Sequence, residues 1–204
     1  KLKSRKTINA FTAWNTRQGK PGYGLVYNHT PRYGKSKLTL VALDWNYIAV
    51  GTNWGHYKGV DKFLTGKRFN QGLDIYGTKI VTQINNPEFQ KFIVKVARRE
   101  VAKYRADGIF LDWWDDNQQQ GTGYTSQQVK QARINLLKQL RKELGDKKVI
   151  MANVAWKKDH TARQLSGANM ELFKDVPVSG RARLYHSAEL WRIENVLSFY
   201  EKNL

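Results

Sequence analysis

The pattern of apolar and polar positions is regular from Asn86 onward and broken before it. Asn86-Pro87-Glu88 reads as a helix start, with Asn86 as the cap and Pro87 at the first helical position. Phe89, Phe92, Ile93, Val96, Ala97, Val101 and Tyr104 then recur at helical spacing, with mostly Lys, Arg and Gln on the opposite face. That is the pattern of an amphipathic helix laid on a sheet. It leads into a short continuous apolar run, Gly108 to Leu111, which reads as a buried strand and ends abruptly in Asp112-Trp113-Trp114-Asp115-Asp116. Thr125 and Gln128 fit a capping box, the stripe Val129, Ala132, Leu136, Leu137 and Leu140 follows, and Gly145 stops the helix after Leu144. Lys148 to Ala152 reads as the next strand, ending at Asn153. Ala168 to Phe173 reads as another and carries Glu171. Ser187 caps a last helix bearing Leu190, Ile193, Val196, Leu197 and Tyr200. Helices alternating with apolar strands predict an α/β fold with a parallel sheet.

The first half is less regular. Thr7 to Ala13 alternates loosely and predicts a strand. Residues 16–37 hold Gly19, Gly22, Gly24 and Gly34 without a helical period, and predict a long loop on the substrate side, punctuated by Tyr23, Tyr27, His29 and Tyr33. Leu38 to Leu43 is a near-continuous apolar run ending in Asp44-Trp45. Tyr47 to Val50 is a second, ending in Gly51-Thr52-Asn53-Trp54. The gap between these runs is too short for the crossover of about a dozen residues that parallel strands require. A bent strand, a hairpin or a segment missing from the sequence are the alternatives, and we read the last. Residues 55–76 read as irregular with a short helix, and Thr78 to Ile84 as a short extended piece. The count is about six strands. The fold class expected is therefore α/β, a (β/α)8 TIM-barrel-like fold that is incomplete, as one domain over residues 1–204. A full barrel typically uses about 250 residues, against 204 here.

Composition narrows the partners. The chain has 35 Lys and Arg against 17 Asp and Glu, a formal net charge of +18. A field of this sign attracts polyanions and repels polycations. Nucleic acid and anionic glycans come into view, but the basic residues are scattered in ones and twos and no nucleic-acid-binding motif stands out. The absence of cysteine excludes disulfides and thiolate metal sites. No apolar run approaches the length of about 18 residues that a membrane helix needs, so no membrane span is expected. The start at Lys1 without Met is expected of a processed or trimmed product, and no signal peptide is read in it. The oligomeric state is not legible.

In parallel α/β folds the carboxyl ends of the strands share one face. Those ends here offer Asn15, Asp44, Trp45, Asn53, Trp54, Asp112, Asn153 and Glu171. Two carboxylates, Asp112 and Glu171, come from separate strand ends, and glycoside hydrolysis needs such a pair flanking the scissile bond. Trp45, Trp54, Trp113 and Trp114 offer apolar faces to sugar rings; Asp44, Asn53, Asp115 and Asn153 offer hydrogen bonds to hydroxyls. Asp112 with Asp115 or Asp116 fits no cation-loop spacing, so neither a metal nor a cofactor is expected. Asp107, ahead of the strand, is assigned a structural role. His29, His56, His160 and His186 have no metal-ligand spacing and read as surface or loop residues.

Asn86-Pro87-Glu88-Phe89, the helix after it and Ala106-Asp107-Gly108-Ile109-Phe110-Leu111-Asp112 together resemble the glycoside hydrolases of the endo-α-1,4-polygalactosaminidase-like superfamily. The resemblance spans residues 78–173. It implies a (β/α)8 barrel in which Gly108 to Asp112 is the fourth strand, Lys148 to Asn153 the fifth, and Ala168-Asn169-Met170-Glu171 brings a glutamate on the sixth. Leu43-Asp44-Trp45 resembles the acidic end of the second strand. Asp112 and Glu171 would then be the catalytic carboxylates, and an extracellular or cell-envelope location is favoured. A charge of +18 opposes a cationic amino-sugar polymer. The expectation is therefore a glycosidase acting on a neutral or anionic polysaccharide or oligosaccharide. The alternatives are a non-catalytic carbohydrate-binding or structural barrel and a polyanion or nucleic-acid binder.

Overall fold

The computed structural model describes residues 11–13, 25–31, 38–49, 57–69, 79–115, 122–154, 157–169 and 187–204. Nine strands and three α-helices run through them: β1 Phe11–Ala13, β2 Leu25–Asn28, β3 Thr39–Leu43, β4 Tyr47–Ala49, β5 Leu64–Phe69, β6 Lys79–Thr82, α1 Pro87–Lys103, β7 Gly108–Leu111, α2 Ser126–Leu144, β8 Val149–Asn153, β9 Gly167–Asn169 and α3 Ser187–Asn203. The helix starts follow their local chemistry. Asn86 accepts from the Glu88 amide ahead of Pro87, and Thr125 and Gln128 close a reciprocal capping box. The Gly145 cap has φ 77°, a backbone region that suits glycine.

Six strands form one parallel sheet in the order β1-β2-β3-β7-β8-β9. Side chains alternate across it with period two. Leu43, Ile109, Leu111, Ile150 and Ala152 join the large core under α1 and α2. Leu40, Ala42 and Phe110 take the other face with Tyr27, flanked by Leu25, Leu38, Val149 and Met151. Both faces are thus covered, as a parallel sheet requires. The sheet also curls. Asn169 on β9 reaches the Tyr27 hydroxyl on β2 at 3.5 Å, although three strands lie between them in the sheet order. A flat sheet would hold those strands about 19 Å apart. The second face is therefore the concave interior of a barrel-type sheet. Gly108 allows the entry of β7: a Cβ there would lie 1.8 Å from the Val149 carbonyl oxygen.

Four sequence expectations are corrected. The supposed loop 16–37 contains β2, which pairs in parallel with both β1 and β3. Leu43-Asp44-Trp45 therefore ends the third strand of the sheet rather than the second. The runs at 38–50 need no missing crossover, because β4 leaves the barrel sheet and pairs antiparallel with β6 in a three-stranded sheet β4-β6-β5. The stretch read as irregular supplies β5 and one turn of 3-10 helix at Asp61–Phe63. Asp107 has the structural role expected of it, accepting from the Thr39 amide at 2.8 Å and tying β3 to the start of β7.

Candidate functional site

The concave face determines what the carboxyl edge presents. Its inward positions continue past the strand ends as Leu25-x-Tyr27-x-His29, Leu40-x-Ala42-x-Asp44, Phe110-x-Asp112 and Met151-x-Asn153. Extending the observed pairings Leu43 to Leu111 and Leu111 to Ala152 puts Asp44, Asp112 and Asn153 side by side, and Asn153 itself pairs with Asn169. A polar row thus crosses the mouth directly above an apolar layer in which Tyr27 stacks on Phe110, with ring centroids 3.7 Å apart.

Contacts within the row are specific. Asn153 Nδ2 donates to Asp112 Oδ1 at 2.9 Å. His29 Nε2 lies 3.0 Å from Asp44 Oδ2, with side-chain exposures of 13% and 8%. Burial alone would lower the pKa of His29. The Asp44 charge, the hydrogen bond to it and the charge of Asp112 outweigh that effect and raise it above the usual 6.5. Behind Asp44, its amide donates to the Tyr57 hydroxyl at 3.4 Å. Burial first, then the Asp44 charge, push that phenol well above its ordinary 10.

The indoles divide between two environments. Trp45 and Trp114 are core residues with exposures of 0% and 1%, their rings 4.5 Å apart, so the expectation that they stack on sugar is corrected. Trp45 lies on the helix side of the sheet because its parity is opposite to that of Asp44; Trp114 shares the parity of Asp112 and reaches the helix side because the left-handed Trp113 breaks the alternation. Trp45 Nε1 donates to the Asp112 carbonyl at 2.7 Å, and Trp114 Nε1 to Thr161 Oγ1 at 2.8 Å. Trp113 is half-buried and takes φ 52°, a left-handed conformation rare for an aromatic residue. It meets Tyr47 edge-on, and Lys79 Nζ lies 4.7 Å from the centre of its ring.

A second polar cluster braces this turn from the helix side. Arg133 on α2 is fully buried, with its guanidinium 4.4 Å from the Trp114 ring and its Nη2 donating to the Trp114 carbonyl at 3.1 Å. The same Nη2 pairs with Asp159 Oδ2 at 2.6 Å. Burial would raise the Asp159 carboxyl, but Arg133 and the Thr161 hydrogen bonds outweigh it and hold it below its usual 3.8. Tyr200 on α3 accepts from the Asp159 amide and donates to the Lys157 carbonyl, and burial pushes its phenol up to about 12. Asp115 is ion-paired with Lys157, so it is held by protein.

Of the expected site residues, the structure brings together Asp44, Asp112 and Asn153, with Trp113 and Asp115 on the turn after β7. Glu171, Asn53, Trp54 and Asp116 lie outside the described residues. So does the Asp112–Glu171 separation. Sequence reasoning missed His29 and Tyr57. The period-two series Leu25, Tyr27, His29 was the available signal for the former. Among the described residues no group of three or more His, Cys, Asp and Glu is arranged to hold a metal ion. None of their helices is long and apolar enough to cross a membrane.

No family model matches the chain, and no match was found among curated proteins. Among solved structures the chain is similar to the glycoside hydrolase domain of PelA from Pseudomonas aeruginosa, at 15% identity and a TM-score of 0.52. The match covers 72% of this chain and 60% of that one, so the chain spans about 60% of that domain's length. A looser match is the chitinase domain of the spore coat protein CotE from Clostridium difficile, at 19% identity, TM-score 0.43, covering 55% of this chain and 40% of that one. Identities this low speak for fold alone. With the curled parallel sheet and its helices, the PelA match defines an α/β protein of the (β/α)8-like class. Its fold is shared with a bacterial glycoside hydrolase domain.

Proposed function

We propose that the chain is a glycoside hydrolase acting on a neutral or anionic polysaccharide, of the type seen in the endo-α-1,4-polygalactosaminidase-like superfamily. The observation that carries this reading is the placement of Asp112. It stands at the carboxyl edge of a barrel-type sheet, on the concave face, oriented by Asn153 and beside Asp44. Catalytic groups of barrel enzymes occupy this edge. The PelA domain of similar fold is itself named a glycoside hydrolase, which supports the reading by analogy of fold.

In this proposal Asp112 and Glu171 form the acid–base pair. Asp112, as the carboxylate, attacks the anomeric carbon or takes a proton from the attacking water. Glu171 gives its proton to the departing glycosidic oxygen. The bond from carbon to leaving oxygen breaks as the new one forms, and one water is consumed per cleavage. A carboxyl separation of about 5–5.5 Å would give retention, and about 6.5–9.5 Å inversion. Asn153 orients Asp112, Trp113 offers a ring face to the sugar, and Asn53 and Trp54 add contacts. The resemblance also favours an extracellular or cell-envelope setting.

The test is release of reducing ends from a panel of neutral and anionic polysaccharides. Asp112→Asn and Glu171→Gln should each lower kcat/KM by roughly 10²–10⁴-fold while the melting temperature holds. Wild-type activity in folded Asp112→Asn would overturn the assignment.

A further inference from the structure

Hydrolysis by Asp112 and Glu171 leaves one buried group at the mouth without a task. His29 closes the inward series of β2, and its ring nitrogen is 3.0 Å from Asp44. Asp44 and Asp112 occupy adjacent strands in one register, and strand spacing is about 4.8 Å. Two carboxylates held that near each other repel unless a donor offsets and fixes them. The hydrolysis proposed above needs Asp112 ionised.

The groups around the pair are few among the described residues. Asp44 comes from β3, Asp112 from β7 and the neutral amide of Asn153 from β8. The Tyr57 phenol, behind the Asp44 amide, stays protonated and adds no charge; Glu100 and Arg99 of α1 act on it with opposite signs. His29 is the cation of this group, and its imidazole senses both carboxylates.

We propose that His29 is a positioning residue of this site: as imidazolium it clamps Asp44 and offsets its charge, so that Asp112 stays aimed. The clamp stands on the geometry of the mouth. Its effect on turnover rests on the glycosidase reading. When His29 gives its proton to solvent, the three-group cluster passes from one net negative charge to two. Asp44 then loses its partner, and Asp112 faces an uncompensated neighbour. His29 therefore adds a component to the alkaline limb of activity, beside the loss of the Glu171 proton that the hydrolysis itself requires.

Two readouts test this in the full chain. The first is the NMR titration of the His29 imidazole, which needs no substrate. The expected midpoint lies above 6.5 in the wild type, falls by about one unit or more in Asp44→Asn, and falls by less in Asp112→Asn. A wild-type midpoint at or below 6.5, or one unmoved by Asp44→Asn, overturns the clamp. The second is the pH–rate profile of His29→Gln, which keeps a donor for Asp44 and removes the titration. Its kcat should fall about tenfold near neutral pH with KM little changed, and the alkaline limb should lose its His29 component and keep only that of the acid Glu171. An unaltered alkaline limb in a folded His29→Gln protein overturns the role in turnover. If the wild type cleaves no glycan, the hydrolase reading falls, and the titration alone decides the clamp.

Discussion

Two strand ends in this barrel carry the same tripeptide, and the chain uses it differently in each. Leu43-Asp44-Trp45 ends β3, and Leu111-Asp112-Trp113 ends β7. In both, the Leu faces the helices and the Asp faces the mouth. After Asp44 the chain puts Trp45 straight into the core. After Asp112 the left-handed Trp113 intervenes, and it is Trp114 that meets Trp45 under the helices. One residue with φ 52° thus adds a half-buried indole, packed against Tyr47 and Lys79, without emptying the core position. The carboxylates differ as well. Asp44 accepts from an imidazole whose pKa lies above its usual 6.5, and Asp112 accepts from the Asn153 amide. The lesson is that a shared motif fixes which face a residue occupies, while its neighbours decide what it can do there. A carboxylate paired with an imidazole suits electrostatic support, and one oriented by an amide at the strand end suits a reacting role.

The comparison breaks first on activity. Asp112→Asn should cost roughly 10³-fold in kcat/KM and Asp44→Asn roughly 10-fold, measured on the same polysaccharide. Equal losses would mean that the two acids share one role. Next comes the brace, which only the β7 end has. Arg133→Met leaves Asp159 buried without its partner and should cost about 3–5 kcal/mol in denaturant unfolding. Because the Asp159 carboxyl is held below 3.8, its contribution is present above that pH and is lost as pH falls through the lower folded value. The acid-unfolding curve of Arg133→Met should lose that component. The indoles follow. Trp45→Phe and Trp114→Phe each remove a buried N–H bond and should destabilise by about 1–2 kcal/mol, with KM unchanged. Trp113→Ala should raise KM several-fold for a loss of under about 1 kcal/mol. The smallest effect is at His29. Its raised folded pKa gives a stabilisation complete below about pH 6.5 and lost as pH rises through the folded value. The melting-temperature difference between wild type and His29→Gln should shrink across that interval.

Much of the second half was legible because its signals are local. The Asn86-Pro87 start, the Thr125–Gln128 box and the apolar run before Asp112 each announce an element within a few residues. β2 was not. Leu-Val-Tyr-Asn is four residues long and lies between Gly24 and Pro31, where turn formers conceal a buried strand. β5 was hidden by Gly66, Lys67 and Arg68, which suit the edge of a small antiparallel sheet and carry little β signal. His29 could not be read as a site residue until β2 was known to lie beside β3. Trp45 and Trp114 were misjudged because an indole near an acid looks like a sugar platform until strand parity, for Trp45, or the left-handed Trp113, for Trp114, sends it to the other face. Asp112 and Asn153 could be placed at the sheet edge from the sequence because both follow apolar runs that end cleanly there.

The insertion of β4, β5, β6 and α1 between two neighbouring barrel strands has a consequence for the order of assembly. The Thr39 amide and the Asp107 carboxylate that join β3 to β7 are 68 residues apart, whereas Asp112 and Asn153 are 41 apart with α2 between them. Closing the longer loop costs more chain entropy before any contact repays it. The β7-α2-β8-β9 half should therefore organise early, and β3 should dock onto it late. Ala42, on β3, should show a lower φ-value than Ala152, on β8. The polar mouth draws one acid from each side of that seam, so it would be complete only when the sheet itself is.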